Sequence, residues 1–144
     1  MFTVQLEEQR FDRFAELFTE FMPPNADPVY AELGLTRQEA AELPLQIGEL
    51  RQVIEEGEVA GYVWIELRER TLHVHALLLE PEFRGQGLGA RVLADLEDEF
   101  RDRIDEVELG VLPRNDRAIA LYEHSGFERV DDRLGFLIMR KALP

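Results

Sequence analysis

Between Glu82 and Leu93 the chain reads EFRGQGLGARVL, with glycines at 85, 87 and 89 set among Arg84, Gln86 and Arg91. Leu88, Val92, Leu93, Leu96 and Phe100 then recur at helical spacing, so the glycines open a helix. Such a loop suits a diphosphate. The first-turn N–H groups lack intrahelical acceptors, the helix start is partially positive, and glycine removes side chains that would hold phosphate oxygens away. Arg84, Arg91, Arg114 and Arg117 form a basic island in an acidic chain. The structural alternative is a glycine-rich turn with a solvated Arg84. Elsewhere, His73 and His75 share one strand face by the period of two, where an imidazole can take a proton directly or through water. Asn115 occupies an N-cap position, and Tyr122 lies on the helical stripe of Ala118 and Ile119, where a core tyrosine also sits.

Two phosphate-binding patterns fit the glycines. Gly85, Gly87 and Ala90 satisfy the dinucleotide pattern G-x-G-x-x-G/A. That pattern belongs directly after a first strand, whereas LeuLeuLeu at 77–79 is separated from the glycines by GluProGluPheArg. Residues 91–144 are also too few for the usual dinucleotide sheet. Arg84, Gly87 and Gly89 instead satisfy R-x-x-G-x-G after a stretch ending LeuLeuLeuGluPro, and about 30 residues later Pro113 to Phe127 reads PRNDRAIALYEHSGF. The pair of motifs resembles the GNAT superfamily of acetyl-CoA-dependent N-acetyltransferases, most strongly from Leu72 to Phe127.

The resemblance implies an α/β, single-domain GNAT-like fold over residues 1–144, with a central, mostly antiparallel sheet of six to seven strands flanked by about four helices. It implies acetyl-CoA as acyl donor and requires no metal. Leu77, Leu78 and Leu79 would hold the pantetheine arm through backbone groups, where their strand separates from the strand at Val107. Arg84, Gly85, Gln86, Gly87, Leu88, Gly89 and Ala90 would form the diphosphate cradle, with Asn115 and Arg117 contributing from the second motif. Tyr122 matches the family tyrosine that protonates the coenzyme A sulfur. For the base, some members carry a glutamate five residues before the motif asparagine, but Gly110 stands there. Others use a carboxylate eleven positions before the first motif residue, which here is His73. Glu108, or no dedicated base, remains open beside it. The reading is acetyl transfer to a primary amine in a ternary complex; the alternative is an acyl-CoA-binding sensor or interaction module without turnover. The acceptor is a small-molecule or peptide amine, and a homodimer is left open.

The elements that must position these residues follow from periodicity. Phe2–Leu6 reads as a strand, and Phe11, Phe14, Leu17, Phe18 and Phe21 as a core-facing helix that PPNADP ends. Thr36 and Glu39 form a capping box for a second short helix. Residues 52–55 and 59–68 form a hairpin around GluGlyGlu, and 71–79 continue the meander. A helix over 88–103, a strand over 107–112 and a helix over 115–125 follow. Gly126 serves as the left-handed C-terminal glycine, and the apolar run from Gly135 to Met139 supplies one or two closing strands.

The chain is 144 residues long, with 45% apolar and 9% aromatic content, which suits one core. It has no cysteine, so disulfides and a thiol nucleophile are excluded. The net charge of −14 argues against nucleic acid and anionic membrane, whose charge it repels at long range, and favours a cationic partner, although the dispersed acidic residues read by default as solvated faces. The start MFTVQLEEQR lacks the basic and apolar regions of a signal peptide, giving the expectation of a cytoplasmic protein.

Overall fold

The fold comes from a computed structural model that describes residues 2–5, 11–21, 34–133 and 135–144. Its strands are β1 (Phe2–Gln5), β2 (Glu49–Glu55), β3 (Glu58–Arg68), β4 (Thr71–Leu79), β5 (Glu106–Val111), β6 (Glu128–Arg133) and β7 (Phe136–Ala142). The helices are α1 (Phe11–Phe21), α2 (Arg37–Glu42), α3 (Leu88–Phe100) and α4 (Asp116–His124). All seven strands join one sheet in the order β1-β2-β3-β4-β5-β7-β6, antiparallel except for β4 with β5. The expected architecture is therefore present.

Both faces of the sheet are covered because both have apolar side chains to bury. On one face, Leu88, Val92, Leu93, Leu96 and Phe100 of α3 and Ile119 of α4 pack on Val63, Ile65, Leu72, Val74, Leu109 and Met139. On the other, Phe14, Leu17 and Phe18 of α1 and Ala40 and Ala41 of α2 cover Leu50, Tyr62, Trp64 and Leu78. Each fully buried Leu or Phe contributes roughly 1.5–3 kcal/mol relative to exposure, so these two layers hold the strands that frame the site.

Local chemistry sets the element ends. Thr36 accepts from the Glu39 N–H at 3.1 Å while the Glu39 carboxylate accepts from the Thr36 N–H at 3.1 Å, completing the capping box. Glu56 and Gly57 both take positive φ in the two-residue turn between β2 and β3, and the hairpin runs longer than its apolar core, over 49–55 and 58–68. Helix α3 ends at Phe100, three residues before the sequence expectation, because Arg101–Arg103 form a turn. Strand β6 is exposed at every residue and lies at the sheet edge, so its sequence ERVDDR carries no apolar alternation to read. The PPNADP segment lies outside the described residues.

Candidate active site

Strands β4 and β5 pair only from Thr71–Glu106 to Val74–Leu109 and then part. At the parting point β4 bulges. Trp64 stands opposite Ala76 and Ile65 opposite Val74, so His75 has no register partner on β3. The bulge changes which side chains face which layer. Leu72 and Val74 pack with α3 and α4, and so do Leu77 and Leu79, whereas Ala76 and Leu78 turn to the α1–α2 layer. Beyond Val74 the described residues offer β4 no strand partner on its β5 side.

Two cavities meet in this split. One, of about 300 Å³, reaches from Leu77–Leu79 to the start of α3. The other, of about 420 Å³, opens beside His73, His75 and Trp64. Leu77, Leu78, Asn115, Ala118 and Tyr122 line both.

The start of α3 leaves backbone donors uncapped. Gly87 is its N-cap, with φ 79° and no side-chain cap, so the first-turn N–H groups are left for another acceptor. Gly85 has φ 75°, and a Cβ there would lie 3.5 Å from Arg117 Nη2; a Cβ at Gly87 would enter open space. Arg84, Gly85, Gly87, Leu88 and Gly89 line the first cavity together with Asn115 and Arg117. The Arg84 Nε donates to the Leu79 carbonyl at 2.9 Å, tying the loop to the strand end. Gln86 turns back to donate to the Glu82 carbonyl at 2.8 Å, and neither Gln86 nor Ala90 lines the cavity. The residues fit a diphosphate at one end and an extended apolar arm along Leu77–Leu79.

Helix α4 presents Tyr122 to the split. Asn115 caps it by accepting from the Ala118 N–H at 3.2 Å. At the other end, Phe127 N–H donates to the Tyr122 carbonyl at 2.9 Å and Gly126 N–H to Glu123 at 3.1 Å, with Gly126 at φ 100°. The Tyr122 ring packs edge-on against Phe127 with centroids 5.9 Å apart. Burial pushes the phenol up to about 12, so it stays protonated at neutral pH.

The histidines form a partly buried pair. His73 and His75 lie 4.4 Å apart between ring centroids, and His75 stacks on Trp64 at 4.2 Å. His75 Nε2 hydrogen-bonds Glu66 Oε1 at 2.8 Å, and Arg68 donates to the same oxygen at 2.9 Å. His73 Nδ1 lies 3.2 Å from Glu108 Oε1, within ion-pair distance but without hydrogen-bond geometry, so it is left without a hydrogen-bond partner. Burial, then the neighbouring His75 and Arg68, push His73 down to about 4 despite Glu108. Glu108 is an engaged carboxylate. Burial raises its pKa, but Arg140, at 2.6 and 3.1 Å, with His73 and Arg133 beside it, holds the carboxyl below its usual value.

Sequence reasoning missed Trp64, Glu66, Arg68, Arg133 and Phe136. Trp64, Arg68, Arg133 and Phe136 line the second cavity, and Glu66 anchors His75 behind it. The period of two from Trp64 to Arg68 was the available sign for β3; β6 offered none.

The acetyltransferase (GNAT) family profile matches residues 11–127. N-alpha-acetyltransferase RimI of Mycobacterium tuberculosis is 38% identical over 78 residues, which cover 51% of this chain and 48% of that protein. A mycothiol acetyltransferase of Beutenbergia cavernae is 38% identical over 77 residues, covering 52% of this chain and 26% of that protein. The chain thus matches about half of the first relative and a quarter of the second. The PaiA N-acetyltransferase of Thermoplasma acidophilum in complex with coenzyme A superposes with TM-score 0.72 at 14% identity, over 99% of this chain and 98% of that one. The Escherichia coli ribosomal-protein-S18-alanine N-acetyltransferase gives 0.73 at 21% identity, over 98% and 92%. With both motifs, the strand split and the family profile over most of its length in agreement, the chain belongs to the acetyltransferase (GNAT) family.

Proposed function

We propose that residues 1–144 act as one domain that transfers an acetyl group from acetyl-CoA to a primary amine by direct attack in a ternary complex. The observation that carries this reading is the β4–β5 split, where a cavity from the glycine cradle and a second, open cavity meet at Tyr122. Bound acetyl-CoA supplies an activated acyl group as a thioester. The N–H groups at the start of α3, with Arg84 and Arg117, hold the diphosphate. The unpaired edge of β4 at Leu77–Leu79 aligns the arm as a partial extra strand and offers backbone N–H donors to the acyl oxygen. The acceptor nitrogen forms a bond to the acyl carbon as the carbon–sulfur bond breaks. His73, neutral at physiological pH, takes the amine proton directly or through water, and the Tyr122 hydroxyl donates a proton to the departing sulfur. Solvent then restores the phenol.

A second reading, an acyl-CoA-binding module without turnover, rests on the absence of an available carboxylate. Gly110 carries no side chain, and Glu108 is held by Arg140 and Arg133. An amine panel with mass detection of the acetylated product separates the two. Product formation favours the transferase; tight acetyl-CoA binding without product favours the module.

A further inference from the structure

The second cavity is lined by two arginines, each paired to a carboxylate behind it. Among the described residues no Asp or Glu lines it; its charged groups other than the histidines are Arg68 and Arg133. Both arginine side chains are about half exposed, at 51% and 50%. Among the described residues Arg68 uses only Nη2, toward Glu66, while Arg133 makes two long contacts, Nη1 to Glu108 and Nε to Asp131, each at 3.3 Å. Each guanidinium therefore keeps N–H donors for another oxyanion. The carboxylates behind them are engaged: Glu66 by Arg68 and His75, Glu108 by Arg140 and Arg133. The remaining lining is apolar and aromatic, with Phe18, Trp64 and Phe136. The cavity runs from these groups to Tyr122, the end at which transfer takes place.

Resting on the acetyltransferase reading above, we propose that the acceptor is a compact amino acid-like molecule. Its primary amine enters toward Tyr122 and His73, an apolar body lies on the aromatic lining, and a carboxylate meets Arg68 and Arg133. A guanidinium fork matches a carboxylate in both geometry and charge. A polycation would meet two arginines and no lining carboxylate. The net charge of −14 acts over distances that salt screens within about 8 Å, so at contact range the local arginines decide.

The test uses phenylalanine, leucine and methionine, each beside its amide and its decarboxylated amine, with the full chain and acetyl-CoA. The acids are expected to show kcat/KM at least ~10-fold above both partners that lack the carboxylate. Arg68→Gln and Arg133→Gln are expected to raise KM for the acids by ~10-fold and to shrink the acid-over-amine ratio of kcat/KM by a similar factor, with acetyl-CoA affinity unchanged. Arg68→Lys should restore part of the loss, and Arg70→Gln, which pairs with Asp105 away from the cavity, should change nothing. Calorimetry of the CoA-loaded protein with N-acetylphenylalanine and N-acetyl-2-phenylethylamine reads recognition without turnover. Acid-selective binding without transfer keeps this inference and removes the acetyltransferase reading. Turnover that is equal for acids and amines, or that favours amides as a peptide acceptor would, overturns this inference alone. No selective binding and no turnover overturns both.

Discussion

His73 on β4 faces Glu108 on β5 in register at the next-to-last paired position before the two strands part, with Nδ1 3.2 Å from Oε1. The pair sits at the root of the split, and the pairing ends one residue later, at Val74 and Leu109. A proton on His73 would gain Glu108 as a neighbour but would lose hydration and meet His75 and Arg68, and the unfavourable side wins. The imidazole is thereby held neutral, the state that the proposed proton acceptor requires.

The pH profile follows from that balance. Activity is expected to climb between about pH 6 and 9 as the acceptor amine, with an ordinary pKa near 10.4, deprotonates. No inflection should appear near 6.5; the histidine limb belongs near 4, where His73 protonates. His73→Gln is expected to lower kcat and remove the acid limb while leaving the upper profile unchanged. A retained acid limb would place the base elsewhere.

The same shift has a sign for stability. The folded pKa of His73 lies below its unfolded value, so the unfolded chain binds more protons between them and stability falls as pH drops from about 6.5 toward 4. His75, lowered chiefly by burial against the pull of Glu66, acts in the same direction. Thermal unfolding of parent and His73→Gln across this window is expected to show a flatter decline in the variant. Parallel curves would mean that His73 is not desolvated.

Tyr122→Phe keeps the ring against Phe127 and deletes the donor. The expected result is a loss of roughly 10²-fold in kcat with little change in Tm or acetyl-CoA affinity. Lost stability with normal turnover would mark a packing tyrosine.

The cradle predicts a selective binding defect. Gly87→Glu brings negative charge to the diphosphate position, into open space, at the cost of a positive φ of about 1–2 kcal/mol. Calorimetric Kd for CoA should rise by ~10-fold or more in the folded variant. Arg117→Gln, which leaves the loop backbone untouched, should weaken binding in the same direction. Unchanged affinity in both would take the loop out of the site.

Gly61 shows how closely the sheet frames the split. A Cβ there would lie within van der Waals overlap of the Leu78 carbonyl oxygen and the Leu79 Cα, on the strand that would hold the pantetheine arm. Gly61→Ala is expected to lose about 1–3 kcal/mol in denaturant unfolding and to weaken CoA binding as β4 shifts. Parent-like values for both would show that the strands absorb the methyl group.

The parts of the fold legible in the sequence are those encoded locally. Thr36 and Glu39 signal one helix start, Asn115 and Gly126 bracket another, and the glycines from Gly85 to Gly89 announce a third. The polar edge strand β6 carries no periodicity, and the bulge at His75 has no residue signature. Arg68 on β3 and Arg133 on β6 line one cavity only in the assembled sheet, whose strand order no local pattern contains. The depressed His73 likewise depends on burial, His75 and Arg68, which only the assembled sheet brings together. Total charge, by contrast, averages over the whole surface and does not describe the lining of the second cavity, where Arg68 and Arg133 stand.

The most direct test follows isotopically labelled acetyl from acetyl-CoA into an amine panel by mass spectrometry while free thiol is counted in parallel. Transfer in a ternary complex predicts labelled N-acetyl product and coenzyme A thiol in equal amounts, both suppressed together in Tyr122→Phe. Tight acetyl-CoA binding with no labelled amine from any member of the panel, or thiol release without acetylated product, would contradict it.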